Sequence, residues 1–443
     1  MKIAEYLPYY KRNLKLAIPV VISQIGQVTV FIADNMMVGH VGTVELAAAA
    51  FANNIFTVGM YFGMGLTYGL TPLTGQSFNN LRETAGWLKN GLATHILAGG
   101  LIAVLLFCLT FLLPHMGQTT DVSIHARPYY LWLCASFLPF MVFYSFKQFF
   151  EGIGNTKIAM GITLTANVIN IVINYVLIFG KFGFPELGLA GAGIGTFIAR
   201  LSMPALYLIF VNFKAKYRHF FLLAWHTKYK LAKILRIVKV GIPIGIQLVV
   251  ELLAFSFGAI MMGWLGEVPL ASHQVALGFI SFTYMISLGV ASATTIRVSH
   301  QLGSNDLKSL KKAVMASTHL VLAFMSSMAI MFILFKNFLP VLFTNDPNVI
   351  RTASILLFIA AFFQIFDGLQ VVMLGALRGM ADVRIPMIFA FVAYILIGIP
   401  TSYLLTFVFK AGPQGIWLGF LTGLLSAGLL FYFRFQKNLL KML

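Results

Sequence analysis

The stretch PVVISQIGQVTVFIADNMMVG, residues 19–39, is apolar throughout except for a few polar side chains and one carboxylate, Asp34. A membrane-spanning helix needs about 20 mostly apolar residues, and this stretch is long enough to be one. An acid inside such a helix costs several kcal/mol, so by default it marks an ion or substrate pathway. We therefore expect a membrane protein in which Asp34 has a functional role.

The composition extends this interpretation to the whole chain. Of the 443 residues, 59% are hydrophobic and 10% are charged, whereas soluble domains average about 45–50% and about 25%. The net charge of +18 comes from Lys and Arg residues that alternate with long apolar runs, so it indicates membrane topology and not a nucleic-acid partner. Cys108 and Cys134 lack CxxC spacing, which indicates neither a disulfide framework nor a zinc site.

Twelve apolar runs along the chain are long enough to span a membrane. Only the segment 213–238 between the sixth and seventh runs is long and polar. We predict an N-terminal six-helix bundle over 1–212, a cytoplasmic linker over 213–238 and a C-terminal six-helix bundle over 239–443. The fold class is therefore an all-α membrane protein with twelve transmembrane helices, expected to be a monomer.

The basic residues predict the orientation. Most of the 31 Lys and Arg residues fall in the N-terminal segment, in the connections after even-numbered helices and at the C-terminus. By the positive-inside rule, both termini and the polar segment 213–238 are expected in the cytoplasm. This predicts a multi-pass protein of the cytoplasmic (inner) membrane.

The two halves of the sequence resemble each other. LAIPV at 16–20 recurs as VGIPI at 240–244, and the same offset places Gly65 on Gly289. Six helices per half return the chain to its starting side, so the two bundles are expected to be related by a pseudo-two-fold axis along the membrane normal. This architecture is typical of alternating access, in which a site near mid-membrane opens to one side and then to the other.

Several motifs resemble one family in order and spacing. They include ADNMMVGHVG (33–42), TPLTGQ (71–76), EGIGNTK (151–157), VGIPIGIQLVVE (240–251), ASHQVA (271–276) and FDGLQVVMLGALRGMADVRIPM (366–387). Over nearly the whole chain the sequence resembles the multidrug and toxic compound extrusion (MATE) transporters, particularly their NorM-like branch. The resemblance implies the MATE fold, export of drugs, and no cofactor other than a coupling ion, Na⁺ or H⁺.

A first candidate cation site lies in the N-terminal bundle. Asn170 and Asn174 stand four apart and so share one face of their helix, and helix rises of about 1.5 Å per residue place them with Asp34 and Thr196 at compatible depths. Carboxylate, amide and hydroxyl oxygens suit a hard cation, and the resemblance links these positions to cation or proton coupling. The two amides and Thr196 could instead be interhelical hydrogen-bonding groups.

A second candidate site lies in the C-terminal bundle. Glu251 and Asp367 both fall near the membrane midplane, where an unpaired charge is most costly. In the NorM-like branch the matching acids are implicated in sodium binding, so Na⁺ is expected at Asp34 and Asn174 or at Glu251 and Asp367. A carboxyl group that instead holds a proton would act as a proton carrier.

Aromatic and Met side chains of the first, second, seventh and eighth helices are candidates for a substrate cleft, because aromatic faces hold organic cations and Met adapts to varied shapes. The candidates are Tyr61, Phe279, Phe282, Tyr284 and Met285.

The sequence predicts a cation-coupled antiporter that exports cationic or amphipathic drugs and toxic organic compounds. Its partners are small organic cations, Na⁺ or H⁺ and the lipid bilayer. A lipid-linked oligosaccharide flippase of the same wider superfamily stays as the alternative, although it should carry more basic residues in its cleft. A membrane-embedded transferase would usually show a nucleophile or metal motif such as HExxH, and the sequence contains none, so we expect no enzymatic activity.

Overall fold

The structure, a computed structural model, describes residues 3–442, and helices are the only regular secondary structure over that range. Twelve helical stretches of 24 to 37 residues are long and apolar enough to cross a membrane. This confirms the predicted all-α class and the number of spans. The α-helices are α1 (Ile3–Gly39), α2 (Thr43–Tyr68), α3 (Leu70–Gln76), α4 (Leu81–Leu109), α5 (Thr120–Gly152), α6 (Thr156–Phe179), α7 (Gly188–Phe213), α8 (Ala215–His226), α9 (Leu231–Leu265), α10 (Glu267–Gly303), α11 (Leu307–Phe335), α12 (Pro347–Gly379), α13 (Arg384–Phe391), α14 (Ile399–Tyr403) and α15 (Pro413–Met442).

Two of the spans are not regular α-helices. The second is interrupted at Gly69, so α2 and α3 together form one span. The eleventh contains two π-helical stretches, Val392–Gly398 and Leu404–Val408, which flank the short α14. π-helical turns within α-helices are rare and are often found at functional sites.

Residues Ile22–Gly245 form one compact unit, which we name the central unit after its place in the chain. Its most buried span is α5. The polar segment 213–238 contains α8, and it is tied to α4 of the same unit. Lys89 Nζ donates to the carbonyl oxygen of Thr227 at 2.7 Å, and Lys233 forms an ion pair with Glu83 at 2.8 Å.

The second compact unit, named the terminal unit, comprises the described residues up to Val21 together with those from Ile246 onward. Its most buried span is α12. The first half of α1 belongs here because it packs on α11. Asn13 Nδ2 donates to Ser317 Oγ at 2.8 Å, and the Tyr10 hydroxyl lies 2.9 Å from His319 Nδ1. The units thus begin and end inside α1 and α9, while the six-helix division at 212 and 239 stays a prediction.

Close helix contacts inside the two units follow the sequence repeat. In the central unit, a Cβ at Gly65 of α2 would collide with the backbone of Gly245 on α9. In the terminal unit, a Cβ at Gly289 of α10 would collide with Val21 of α1. The offset of the repeat relates Gly65 to Gly289, and it relates Val21 to Gly245 as well. The first half of α9 therefore packs as the first half of α1 does.

Candidate functional site

Asp34 lies on α1, where an amide from α6 contacts its carboxylate. Asn174 Nδ2 donates to Asp34 Oδ1 at 2.7 Å and to Asn170 Oδ1 at 3.2 Å. Both asparagines are buried, and Asp34 is half-buried. Two oxygens from different helices therefore converge on one nitrogen atom, and the two amides share one face of α6 as their four-residue spacing predicts.

α7 borders this cluster through Gly195. A Cβ at Gly195 would collide with Asn174 Oδ1, so the missing side chain lets α7 lie directly against the amide. Asn174 Oδ1 is itself buried, without a hydrogen-bond partner in the part of the chain that the structure describes. The neighbouring Thr196 is half-buried, and no hydrogen bond joins its hydroxyl to another described residue. The structure thus brings Asp34, Asn170 and Asn174 together and does not bond Thr196 to them.

Arg200, on α7, places a cation in the same unit. Its Nη1 donates to Ser136 Oγ at 2.7 Å, and its guanidinium lies over the rings of Phe56 and Phe140, 5.0 and 5.3 Å from their centroids. The cation also interacts electrostatically with Asp34. The charge of Asp34 is thus opposed by a fixed positive charge as well as bonded to an amide.

Tyr129 of α5 extends the polar network of the central unit. Its hydroxyl accepts a hydrogen bond from Asn53 Nδ2 of α2 at 3.2 Å, and it interacts electrostatically with Asp34 and Arg200. Sequence reasoning did not assign Arg200, Tyr129 or Asn53 to the site. The signal for Arg200 was present in the sequence, because a lone arginine inside a membrane span needs a partner by the same argument as Asp34.

Glu251 and Asp367 lie in the terminal unit, on α9 and α12. Their exposed fractions are 9% and 3%, and the two carboxyl groups interact electrostatically. Asp367 Oδ2 has no hydrogen-bond partner within residues 3–442. Arg378, near the end of α12, also interacts electrostatically with Glu251. The structure therefore brings the two predicted acids into one buried polar region.

Tyr394 is a further member of this region that sequence reasoning missed. It lies in the π-helical stretch Val392–Gly398, the residue is 5% exposed, and its hydroxyl has no hydrogen-bond partner among the described residues. It interacts electrostatically with Glu251, Asp367 and Tyr284. A small cavity lies beside it, lined mainly by apolar side chains of α9 and α15, including Phe255 and Phe420.

The aromatic candidates for a substrate cleft have different surroundings. Phe279 packs inside the terminal unit against Phe332 and Phe343, at ring-centroid distances of 6.2 and 5.1 Å. Phe282 is 52% exposed. Tyr61, Tyr284 and Met285 are half-buried, and the assignment of all five to a substrate cleft stays a prediction.

Within the described residues, no three His, Cys, Asp or Glu side chains lie close enough together to hold a metal ion. A cation bound near either acid site must therefore take part of its coordination from amide, hydroxyl or carbonyl oxygens, which are the ligands that hard cations prefer.

The model of the family described as MatE matches residues 19–176 and again residues 243–404. The chain belongs to the MatE family. The starts of the two matches are separated by the offset at which the sequence repeats, so each half of this MatE chain is one copy of the family domain. The resemblance to the MATE transporters is confirmed.

Similar proteins cover almost the whole MatE chain. The probable multidrug resistance protein NorM of Rhizobium meliloti is 32% identical over 97% of this chain and 94% of its own length. The multidrug resistance protein NorM of Photobacterium profundum is 31% identical over 96% and 95%. The crystal structure of the Vibrio cholerae MATE transporter VcmN in the bent form matches 99% of both chains with a TM-score of 0.88 at 19% identity. The chain is thus a multi-pass membrane protein with the MATE fold.

Proposed function

We propose that this protein is an antiporter that exports cationic or amphipathic organic compounds in exchange for Na⁺ or H⁺. The names of its NorM relatives as multidrug resistance proteins support the substrate class. The duplicated family domain supports alternating access, because two repeats can expose one site to either side of the membrane in turn. The protein would lie in the inner membrane of the cell, with both termini in the cytoplasm.

The arrangement around Asp34 carries this proposal. Asp34 Oδ1 and Asn170 Oδ1 converge on Asn174 Nδ2, at 2.7 and 3.2 Å. A small cation suits the same convergence of oxygens, since carboxylate and amide oxygens are its preferred ligands. Asn174 also has a buried oxygen without a partner in residues 3–442, and rotation of the amide would turn that oxygen towards the acid.

Either coupling ion would change the same hydrogen bond. A proton on Asp34 removes the negative charge that the Asn174 amide nitrogen stabilises, and a sodium ion competes with that nitrogen for the carboxylate oxygen. In both cases the bond between α1 and α6 is altered when the ion binds. Ion binding favours one state of the transporter only by its difference in affinity for the two states, so drug and ion must compete through those states.

The second acid site would take part in the same cycle. Glu251 and Asp367 are buried and interact electrostatically, and an unshared charge in such a place is costly. A cation or proton shared by the two carboxyl groups would offset that cost. Asp34 in the central unit and this pair in the terminal unit are therefore both proposed as coupling sites.

Transport in inside-out membrane vesicles tests the proposal. A fluorescent organic cation is added outside, and an ion gradient directed out of the vesicle is imposed in two separate arms. One arm uses Na⁺ at equal pH with a protonophore, and the other uses H⁺ without Na⁺. We expect dye uptake in at least one arm and loss of uptake when the gradient is collapsed.

Vesicles from cells that lack the protein supply the background. Dye uptake at that background level in both arms would overturn antiport. Uptake that persists without any ion gradient but requires ATP would overturn the assignment of a secondary transporter.

A further inference from the structure

Arg297 is a buried cation near the end of α10 that the proposed transport cycle does not use. Its exposed fraction is 8%, and neither Nε nor Nη2 has a hydrogen-bond partner among the described residues. It forms no ion pair within residues 3–442. Charged side chains are almost never fully buried unless they are paired, so this guanidinium requires an explanation.

Other buried cations of the chain have protein partners. Lys233 pairs with Glu83 at 2.8 Å, and Lys147 lies 4.0 Å from Glu151. Removing an ion from water without a counter-charge costs several kcal/mol. Because residues 3–442 pair these lysines and provide no ion pair for Arg297, the counter-charge of Arg297 is expected to come from outside the protein.

The neighbours of Arg297 favour an anion. Arg12 of α1 adds a second positive charge within electrostatic range, and Tyr9 of α1 lies nearby. The Tyr9 hydroxyl is hydrogen-bonded to Ser309 Oγ at 3.1 Å, which holds α1 against the beginning of α11. Of the acids in the described part of the chain, Asp306 interacts electrostatically with Arg297, and its carboxylate already accepts the Ser309 backbone N–H at 3.0 Å as the cap of α11.

The depth of Arg297 indicates where the anion comes from. At about 1.5 Å per residue, the 37-residue α10 is about 55 Å long, well beyond the hydrocarbon core of about 30 Å. Arg297 lies six residues before the end of α10 at Gly303, about 9 Å from that end. It is therefore near the level of the lipid headgroups.

We propose that α1, α10 and α11 form a phosphate-binding site in which Arg297, assisted by Arg12, holds the phosphate of an anionic phospholipid. The planar guanidinium presents a fork of N–H donors that matches phosphate oxygens two at a time. Phospholipid headgroups carry phosphates at this depth, and the net negative charge of the anionic ones is attracted to a basic site. The bound phosphate neutralises the buried charge and joins the first half of α1 to the end of α10.

The test measures lipid binding to the purified full-length protein after delipidation in a zwitterionic detergent. Phosphatidylglycerol, phosphatidylcholine and inorganic phosphate are titrated separately, with native mass spectrometry and thermal unfolding as readouts. The parent is compared with Arg297→Met and Arg297→Lys. Arg236→Met, an equal change of charge at an exposed arginine of α9, is the matched control.

We expect the delipidated parent to bind one phosphatidylglycerol, and Arg297→Met to bind it about tenfold more weakly, as the loss of a charged hydrogen-bonding group implies. Arg297→Lys keeps the charge but loses the forked N–H donors of the guanidinium, so its affinity for phosphatidylglycerol should also fall. This variant keeps the proposal testable if Arg297→Met does not fold. Arg236→Met should bind as the parent does. Arg297-dependent binding of inorganic phosphate without phosphatidylglycerol binding would identify a soluble phosphate as the ligand of the same site.

Thermal unfolding gives an independent readout. Without lipid, Arg297→Met should unfold at the same temperature as the parent or higher, because it removes an uncompensated buried charge. Phosphatidylglycerol should then stabilise the parent more than the variant. Equal phosphatidylglycerol and phosphate binding by the parent, Arg297→Met and Arg297→Lys would overturn the proposal, as would a lipid-free parent that is the more stable protein.

Discussion

The two acid sites of this protein differ in how the surroundings of each membrane carboxylate offset the free-energy cost of its burial. In the central unit, Asp34 is half-buried, accepts a hydrogen bond from Asn174 at 2.7 Å and interacts electrostatically with Arg200. In the terminal unit, Glu251 and Asp367 are buried together, and Asp367 Oδ2 has no partner in the described chain. Asp34 thus has an amide and a cation of its own unit as partners, whereas Glu251 and Asp367 repel each other when both are charged and Arg378 interacts with Glu251.

The repeat makes this difference informative. The offset between the two halves places Asp34 on Gly258 and Glu251 on Gln27, so neither acid has a counterpart in the other half. The two copies of the family domain kept the same spans, but Asp34 on α1 and Glu251 on the corresponding helix α9 stand at different positions of the repeat. The proposed coupling chemistry of each unit therefore has to be tested separately.

The largest effect is expected from Asp34→Asn. The amide keeps the shape of the side chain but removes the charge that Asn174 and Arg200 stabilise. Hydrogen bonds to charged groups contribute about 1.5–3 kcal/mol, so ion-driven dye uptake should fall at least about tenfold in the vesicle assay. Asp121→Asn, an exposed acid at the start of α5, should transport as the parent does. Full transport by Asp34→Asn would remove Asp34 from the coupling mechanism.

A double-variant cycle tests whether Glu251 and Asp367 act as one site. If the two carboxyl groups share one cation or proton, either single change already destroys the site. Glu251→Gln with Asp367→Asn should then transport no worse than the more damaged single variant, since residues of one network are not additive. Glu267→Gln, an exposed acid of α10, is the control. Independent, multiplying losses would mean that the two acids have separate roles.

Gly195→Ala should reduce ion-driven transport as a change at Asp34 does, although glycine has no functional group of its own. The added methyl would collide with Asn174 Oδ1 and displace the amide from Asp34. Overpacking costs about 1–3 kcal/mol, so we expect a several-fold loss of ion-driven uptake. Gly161→Ala on α6 meets nothing within 4 Å and supplies the control. Equal transport by both variants would show that the Asn174–Asp34 hydrogen bond is dispensable.

The smallest effect is expected at two helix N-caps that occupy corresponding positions in the two units. The Asn80 side chain accepts the Glu83 backbone N–H at 3.0 Å at the start of α4, and Asp306 does the same for Ser309 at the start of α11. Hydrogen bonds from the Ser309 backbone and hydroxyl lower the pKa of Asp306. A lowered acid pKa stabilises the fold above the unfolded pKa, and this contribution is lost as the pH falls through the folded value.

Asp306→Asn makes the second cap resemble the first, since Asn caps about as well as Asp. Its unfolding temperature should lie below that of the parent at neutral pH by on the order of one degree. The difference should vanish in strong acid, where the parent carboxylate is protonated. A difference that is unchanged in acid would show that the charge of Asp306 does not contribute.

Hydrophobic runs predicted the fold because every span must be apolar for about 20 residues whatever its packing. They could not predict the full helix lengths, since α10 and α12 continue into polar ends that extend past the apolar core. The π-helical stretches around α14 also leave no mark in the hydropathy pattern. Between these stretches, α14 packs closely on α15, where a Cβ at Gly419 would collide with Ser402.

The candidate site was predictable where one side chain is costly by itself. Asp34, Glu251 and Asp367 stand out in apolar runs, and the spacing of Asn170 and Asn174 gives their shared face. Tyr129 and Tyr394 were not predictable, because an aromatic residue in a membrane span usually packs or faces lipid. The contact of Gly195 with Asn174 was equally hidden, since it depends on how α6 and α7 approach each other.

Because of the packing of the first halves of α1 and α9, the two compact units do not coincide with the two halves of the sequence. The segment 213–238, expected to be a linker, lies wholly within the central unit, and the chain passes between units inside α1 after Val21 and inside α9 after Gly245. A gene cut at the middle of the sequence would therefore give two products that each lack a half-helix of their own unit. Each fragment would instead carry a half-helix that belongs to the other unit, so the midpoint of the duplicated sequence does not separate two autonomous products.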